Sequence, residues 1–386
     1  MREGRESNGF HDDDPRKVMT RCTRASPLRT RRERSFLRLA PAGYGGLYTL
    51  RSPQKTVMSS PFPKTSRPAY DPRRLREIFD RRAADFDEVA FLPREIASRM
   101  RERLEYIKVA KGAPARMLDA ACGPGADLPG LREWFAEASV TGVDISSAML
   151  ARARLAESAD ADAGAGWRRF LPNTLAKAFG ARGSQLAQAD FAALPFAAGA
   201  FELLWSNLAL HWHARPDLVF AEWQRVLKVN GLLMFSTFGP DTLRELAAAY
   251  REAERTLGLE PEPHTIDFVD MHDLGDMLVE SGFEIPVMDQ EVLTITYKSP
   301  ESLFADVTRW GAYPFERAAA DRPGDAQALR RAVHANLDAL RRDDGTIPLT
   351  FEVIYGHAWK AVSRTTAEGH GIVRLEDIGR GPKQRQ

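Results

Sequence analysis

Four polar side chains stand where apolar runs end: Asp119, Asp144, Asp190 and Asn207. Asp119 lies within Met117-Leu118-Asp119-Ala120-Ala121-Cys122-Gly123-Pro124-Gly125, which reads as a buried strand closing in a tight glycine turn. Asp144 follows the next apolar run, Ala138 to Val143. Strand, glycine turn, helix, strand and carboxylate form the first half of a nucleotide-binding βαβ unit. Glycines there let the backbone approach a ligand closely. A carboxylate at Asp144 accepts hydrogen bonds from both hydroxyls of a ribose.

The turn itself narrows the ligand. A dinucleotide site asks for G-x-G-x-x-G with a pyrophosphate on the helix N-terminus. Here the turn reads Ala121-Cys122-Gly123-Pro124-Gly125-Ala126-Asp127, flanked by the carboxylates of Asp119 and Asp127. Two carboxylates repel a pyrophosphate and suit a cation that carries an amino group and a sulfonium beside its ribose. S-adenosylmethionine has those groups. The expected cofactor set is Asp119, Cys122, Gly123, Gly125, Asp144, Ile145, Ser146, Met149, Asp190, Phe191 and Asn207. Within it Ile145 packs one face of the adenine, Asp190 and Phe191 meet its edge, and Asn207 bonds the methionine amino group. Each polar member also has a plainer reading: Asp144 as a carboxylate at a helix N-terminus, Asp190 and Asn207 as turn residues at strand ends. Cys122 reads as a small packed side chain.

His211-Trp212-His213 is a second cluster of interest. The two histidines lack the Cys or carboxylate company that a zinc site needs. Trp212 and an orienting His211 at the pocket mouth are the expected roles, and no metal is expected. Trp310 and Tyr313 read as packing residues. A sulfonium methyl is already activated, so its transfer asks for in-line positioning of a nucleophile. A carboxylate acceptor is ionised at neutral pH and needs no general base.

Strands are expected at Arg116 to Ala121, Ser139 to Val143, Gln185 to Ala189, Phe201 to Ser206, Leu232 to Phe238, Val287 to Tyr297 and Leu349 to Ala361. Helices are expected at Arg73 to Asp85, Phe91 to Ile107, Asp127 to Ala138, from Ser146 onward, Pro216 to Leu227, Leu243 to Leu257 capped by Asp241, Asp270 to Ser281, and Ser299 to Trp310. This alternation gives an α/β fold with a doubly wound, mostly parallel seven-stranded sheet, whose ligands sit beyond the carboxyl ends of the strands. The globular domain is expected over residues 71–364, with a partly helical cap over 241–346 and a disordered tail over 365–386. An Ala-, Gly- and Asp-rich insertion is expected from Asp160 to Gly183.

Bulk properties exclude several classes. The net charge of +1 gives no basic field, so nucleic acid is not implied. Two cysteines make no disulfide framework, and no apolar run is long enough to span a membrane. Residues 1–57 carry 13 Lys/Arg against 6 Asp/Glu, with few large apolar residues in phase. They belong to a basic extension, 1–70, expected to be disordered. Glu3, Glu6 and Asp12 to Asp14 argue against a transit peptide, and the favoured reading starts translation at Met58.

These motifs resemble the class I S-adenosylmethionine-dependent methyltransferases. Ala189-Asp190-Phe191-Ala192-Ala193-Leu194-Pro195-Phe196 and the run from Phe201 through Trp205-Ser206-Asn207-Leu208-Ala209-Leu210-His211-Trp212 resemble, more closely, the malonyl-acyl-carrier-protein O-methyltransferases of biotin synthesis. So do Phe235 to Leu243, Phe268 to Asp276 and Ile347 to His357, and the likeness spans about Leu75 to Val362. The resemblance implies methylation of the free carboxylate of malonyl-acyl-carrier protein in the cytoplasm, masking its charge so that the ester can be elongated like a fatty acyl chain. It implies an acidic carrier protein as partner, with Arg309 as a basic contact near the pocket mouth. Where the family often has Tyr-Asp in an N-terminal lid, this chain has Phe86-Asp87, which removes a hydroxyl and makes Phe86 a positioning candidate. The same runs resemble, less closely, a respiratory complex I assembly protein associated with arginine hydroxylation, and a non-enzymatic assembly role on this fold is a third reading.

Overall fold

The central strands are nearly continuous apolar runs because the sheet is covered on both faces, as parallel sheets are. In the computed structural model, which describes residues 18–21, 71–107, 116–135, 138–163, 184–310 and 323–362, they are β2 (Arg116–Ala120), β3 (Ser139–Asp144), β4 (Gln185–Gln188), β5 (Phe201–Ser206) and β6 (Leu227–Phe238). These five run parallel, while β8 (Ile347–Lys360) lies antiparallel between β6 and β7 (Phe283–Tyr297). The order is β1-β7-β8-β6-β5-β2-β3-β4. Seven strands are those the sequence predicts. The eighth, β1 (Val18–Arg21), pairs antiparallel with the free edge of β7. Its position corrects the expectation that the basic extension is wholly disordered: these four residues satisfy backbone groups that an edge strand otherwise leaves open. The remainder of 1–70, the insertion over 164–183, Tyr313 and the tail over 365–386 lie outside the described residues.

Side chains alternate across the strands. Met117, Val140, Leu203 and Met234 face one layer, against Ile96 and Met100 of α2 (Phe91–Tyr106), Leu131 of α3 (Leu128–Trp134) and Tyr250 of α6 (Arg244–Leu257). Leu303 and Val307 of α8 (Pro300–Trp310) and Val333 and Leu337 of α9 (Pro323–Asp338) complete that layer. Leu118, Val143, Leu204 and Phe235 face the other, against Phe220 and Trp223 of α5 (Pro216–Val226) and Leu274 and Leu278 of α7 (Met271–Glu280). Each such side chain contributes about 1.5–3 kcal/mol by leaving water.

The helix α1 (Pro72–Arg82) starts where Asp71 accepts from the N–H groups of Arg73 and Arg74, with proline at its first position, and it buries Leu75 and Ile78. Ser146 caps α4 (Ser147–Ala163) as expected, its Oγ accepting from the Met149 N–H at 3.1 Å. Asp241 does not cap α6. Its N–H donates to Glu352 at 2.7 Å, and Leu243 enters the helix from the left-handed region. The sequence reading also missed α9, whose apolar Leu329, Val333 and Leu337 stand four apart among charged residues. Among the described residues, no helix is long and apolar enough to cross a membrane.

Candidate active site

The chain order β2-β3-β4 runs one way across the sheet and β5-β6 the other, so the carboxyl ends of the adjacent β2 and β5 frame a crevice. A cavity of about 1140 Å³, counted to its open mouth, occupies this crevice. Asp119, Cys122, Gly123, Asp144, Ile145, Met149, Phe191 and Asn207 line it, together with Phe86, His211 and Trp212. The turn after β2 makes this possible through three positive φ angles, 67° at Ala121, 54° at Gly123 and 80° at Gly125. Ala121 bears a side chain in a region that costs about 1–2 kcal/mol, the kind of strain that collects at ligand sites. The two glycines differ in purpose. A Cβ on Gly123 would enter open space, whereas one on Gly125 would stand 2.9 Å from the Ala153 Cβ. Gly123 thus leaves room in the cavity, and Gly125 lets the turn close against α4.

Three carboxylates converge on the floor. Burial pushes Asp119 well above the usual carboxylate range, and the charges of Asp127 and Asp144 push it further. Its Oδ2 is buried without a hydrogen-bond partner. Asp144 is raised to about 6 by burial, although the N–H groups of Ser146 and Gly123 donate to it at 2.8 and 2.9 Å. Burial raises Asp127 as well, opposed by the Trp205 indole at 3.0 Å, by Arg101 at 3.8 Å and by the Asn207 amide at 3.3 Å. A buried carboxylate lacking a partner is costly. Three buried carboxylates in one cleft, one of them with an unpartnered oxygen, describe a site built for a ligand of opposite charge. Burial also raises the Cys122 thiol, so Cys122 serves as a small packed group beside Gly142 and not as a nucleophile.

Several expected residues sit elsewhere or do something else. Asp190 does not line the cavity. Its Oδ1 accepts from the Ala192 N–H at 2.8 Å, closing a turn on its own loop, and the lining positions are taken by Ala189 and Phe191. Ser146 and Gly125 lie behind the wall, the one capping α4 and hydrogen-bonding Asp80, the other packing. Asn207 lines the cavity, but its amide donates to the Pro93 carbonyl at 2.9 Å and its Oδ1 accepts from Ser236 at 2.8 Å. It ties the end of β5 to α2 and holds Asp127. Arg309 does not line the cavity either, because Glu88 at 3.0 Å and Asp306 at 3.9 Å engage it. His211 is buried with its ring 4.8 Å from that of Phe238, and Trp212 meets Phe79 edge-on at 5.2 Å. His213 turns away, its Nδ1 accepting from the Arg215 N–H at 3.0 Å.

The cover is largely N-terminal. Leu75 and Phe79 of α1, Phe86 of a short 3₁₀ turn (Phe86–Glu88), and Leu92, Pro93 and Arg94 of α2 close one side. Among its described residues the 241–346 segment contributes only Trp310 to the lining, and its β7 joins the sheet. Trp310 is more than packing: its ring lines the cavity while its indole N–H donates to the Val89 carbonyl at 2.7 Å. The amphipathic pattern of α1 marked a buried face without saying what it covers.

Residues 118–235 match the family described as a methyltransferase domain. The chain is 40% identical over 294 residues to a malonyl-[acyl-carrier protein] O-methyltransferase of Laribacter hongkongensis, covering 76% of this chain and 91% of that one. A protein of the same name from Gallionella capsiferriformans is 40% identical over 304 residues, 79% of this chain and 96% of its own. One from Legionella pneumophila is 36% identical over 295 residues, 76% and 93%. With identity at this level over more than nine-tenths of each relative, the chain belongs to the malonyl-[acyl-carrier protein] O-methyltransferase family.

Proposed function

We propose that the protein methylates the free carboxylate of malonyl-acyl-carrier protein with S-adenosylmethionine as donor, the ester then entering the biotin (pimeloyl) route. The observation that carries this reading is the convergence of Asp119, Asp127 and Asp144 on one cavity, with the Asp119 oxygen lacking any partner. That donor set fits the cofactor, because a sulfonium and an ammonium supply the positive charge that the buried carboxylates lack. Asp144 would hold the ribose, keeping acceptor capacity beyond its two backbone donors. Ile145, Met149 and Phe191 would sandwich the base, and Asp119 would face the amino-acid end. When bound, the cofactor would supply an activated methyl group to a carboxylate oxygen, the electron pair of the broken carbon–sulfur bond staying on sulfur and no proton moving. Protein groups then have only to exclude water and align the acceptor. Phe86, His211, Trp212, Phe238 and Trp310 supply apolar walls for that purpose. The relatives carry the O-methyltransferase name, and no observation favours arginine hydroxylation or a non-enzymatic role. The test is incubation with malonyl-acyl-carrier protein and methyl-labelled cofactor. Label in a base-labile ester is expected, and its absence under conditions where the cofactor binds would end this reading.

A further inference from the structure

We propose that Arg94 recognises the acyl carboxylate that accepts the methyl group, and so makes the enzyme selective for a thioester that ends in a free acid. This rests on the methyl-transfer reading above. A carboxylate approaching a cavity floored by Asp119, Asp127 and Asp144 meets repulsion, so a cation must face it. Among the described residues lining the cavity, Arg94 is the only Arg or Lys.

Four guanidinium groups on α2, α4 and α8 are committed. Arg99 is buried between Glu95 and Glu291, and Arg101 faces Asp127. Arg152 holds Asp87 and the carbonyls of Ala83 and Ala84, and Arg309 is held by Glu88. Arg94 differs. Its contact is a single long hydrogen bond of 3.5 Å to Asp87, with side chains 57% and 54% exposed. Such a solvent-screened pair is worth little and is readily exchanged. Asp87 stays neutralised when Arg94 leaves, because Arg152 engages its other oxygen. The preceding residue, Pro93, is fixed by the Asn207 amide, so the start of the Arg94 side chain is held against the end of β5. A planar guanidinium there grips one carboxylate geometry and leaves an oxygen lone pair for the incoming methyl. Methylation removes the negative charge, so the ester loses this contact while the acid substrate keeps it. Arg94 therefore separates substrate from product as well as free acid from neutral acyl groups.

The experiment compares wild type with Arg94→Gln and Arg94→Lys on two acceptors, malonyl-acyl-carrier protein and malonyl-coenzyme A, alongside calorimetry with S-adenosylhomocysteine. Loss of a charge-assisted pair raises KM by about 10- to 100-fold for Gln, equally on both acceptors, with a smaller rise for Lys and no change in S-adenosylhomocysteine affinity. An unchanged KM overturns the proposal. So does a rise confined to the carrier-protein acceptor, which would make Arg94 a carrier contact, and so does altered S-adenosylhomocysteine affinity, which would place its effect on the cofactor half. Wild-type enzyme that labels neither acceptor sinks the methyl-transfer reading itself, and the role of Arg94 with it.

Discussion

Replacing Asp119 with asparagine should stabilise the ligand-free protein and cripple its cofactor binding at the same time. Asp119 is buried at the end of β2, its Oδ2 has no partner, and the charges of Asp127 and Asp144 press on it. Asparagine has the same shape and carries no charge. It also presents an N–H toward two carboxylates instead of a third acceptor. A buried polar group without a partner costs about 1–3 kcal/mol. Recovering that amount raises Tm by about 2–5 °C for a domain of this size. The sign of the pH dependence follows from the direction of the shift. The folded carboxyl holds its proton above the ordinary carboxylate range, so its share of stability is present in acid and is lost as pH rises. Wild type and Asp119→Asn should therefore melt nearly together at the acid end of their stable range and diverge as pH increases, the variant being the more stable. Calorimetry with S-adenosylhomocysteine should show the opposite effect, a dissociation constant about 10- to 100-fold higher for the variant, as expected when a charged hydrogen bond is lost. A variant that melts lower at pH 8, or that binds the ligand as tightly as wild type, would refute the argument that this carboxylate is kept for a cationic ligand.

Asp144, held at about 6, should make cofactor affinity fall about tenfold per pH unit below that point, read by calorimetry between pH 5 and 8, and a flat profile would contradict its role. The same shift, from 3.8 to about 6, withdraws about 3 kcal/mol of stability from the ligand-free protein as pH rises through that window, which cofactor binding should restore. Gly125→Ala should cost more stability than Gly123→Ala, because only the former drives a Cβ into Ala153, at 2.9 Å. The Gly123 variant should instead lose cofactor affinity while keeping most of its Tm, and equal melting losses would be the contrary result. Glu291→Ala leaves the buried Arg99 with Glu95 alone and should cost about 3 kcal/mol, read from the urea midpoint.

The half of the site built from local sequence was legible. Strand β5 spans Phe201–Ser206 as its pattern predicts, and the Asp119 to Gly125 turn lies where the βαβ signature puts it. Those features depend on neighbours in sequence, on apolar periodicity and on glycine. What stayed hidden depends on side-chain direction or on distant partners. Asp190 has the residue type for a ligand contact and for an Asx turn alike, and the pattern does not announce the turn that its Oδ1 closes with the Ala192 N–H at 2.8 Å. Arg309 carries the charge wanted at a pocket mouth, yet Glu88, far upstream in the chain, takes it up. Pro93 and Arg94 sit in a helix whose pattern reports a buried face and nothing about the cavity at its edge. β1 rests on an edge vacancy in β7 that no local pattern in Val18–Arg21 announces.

The lid and the cofactor turn are joined through the N-terminus of α4. Asp80 of α1 accepts from the Ser146 hydroxyl at 2.6 Å and from the Ala148 N–H at 3.1 Å, putting a negative charge where a helix start leaves donors unmet. Ser146 donates its own N–H to Asp144, and Asp144 accepts in turn from Gly123. One continuous chain of hydrogen bonds therefore runs from the cover to the glycine turn, with Asp144 in the middle. Further along the same helix, Arg152 holds the carbonyls at the end of α1 and also holds Asp87, the group that Arg94 touches. Asp144 feels this arrangement directly, since the charge of Asp80 contributes to raising it. Hydroxyls that donate to Asp144 would favour its ionised form against that repulsion, so ligand binding and the link to the lid bear on the same carboxylate. The cost of burying Asp144 is thus tied to the seating of α1 on α4 as well as to affinity.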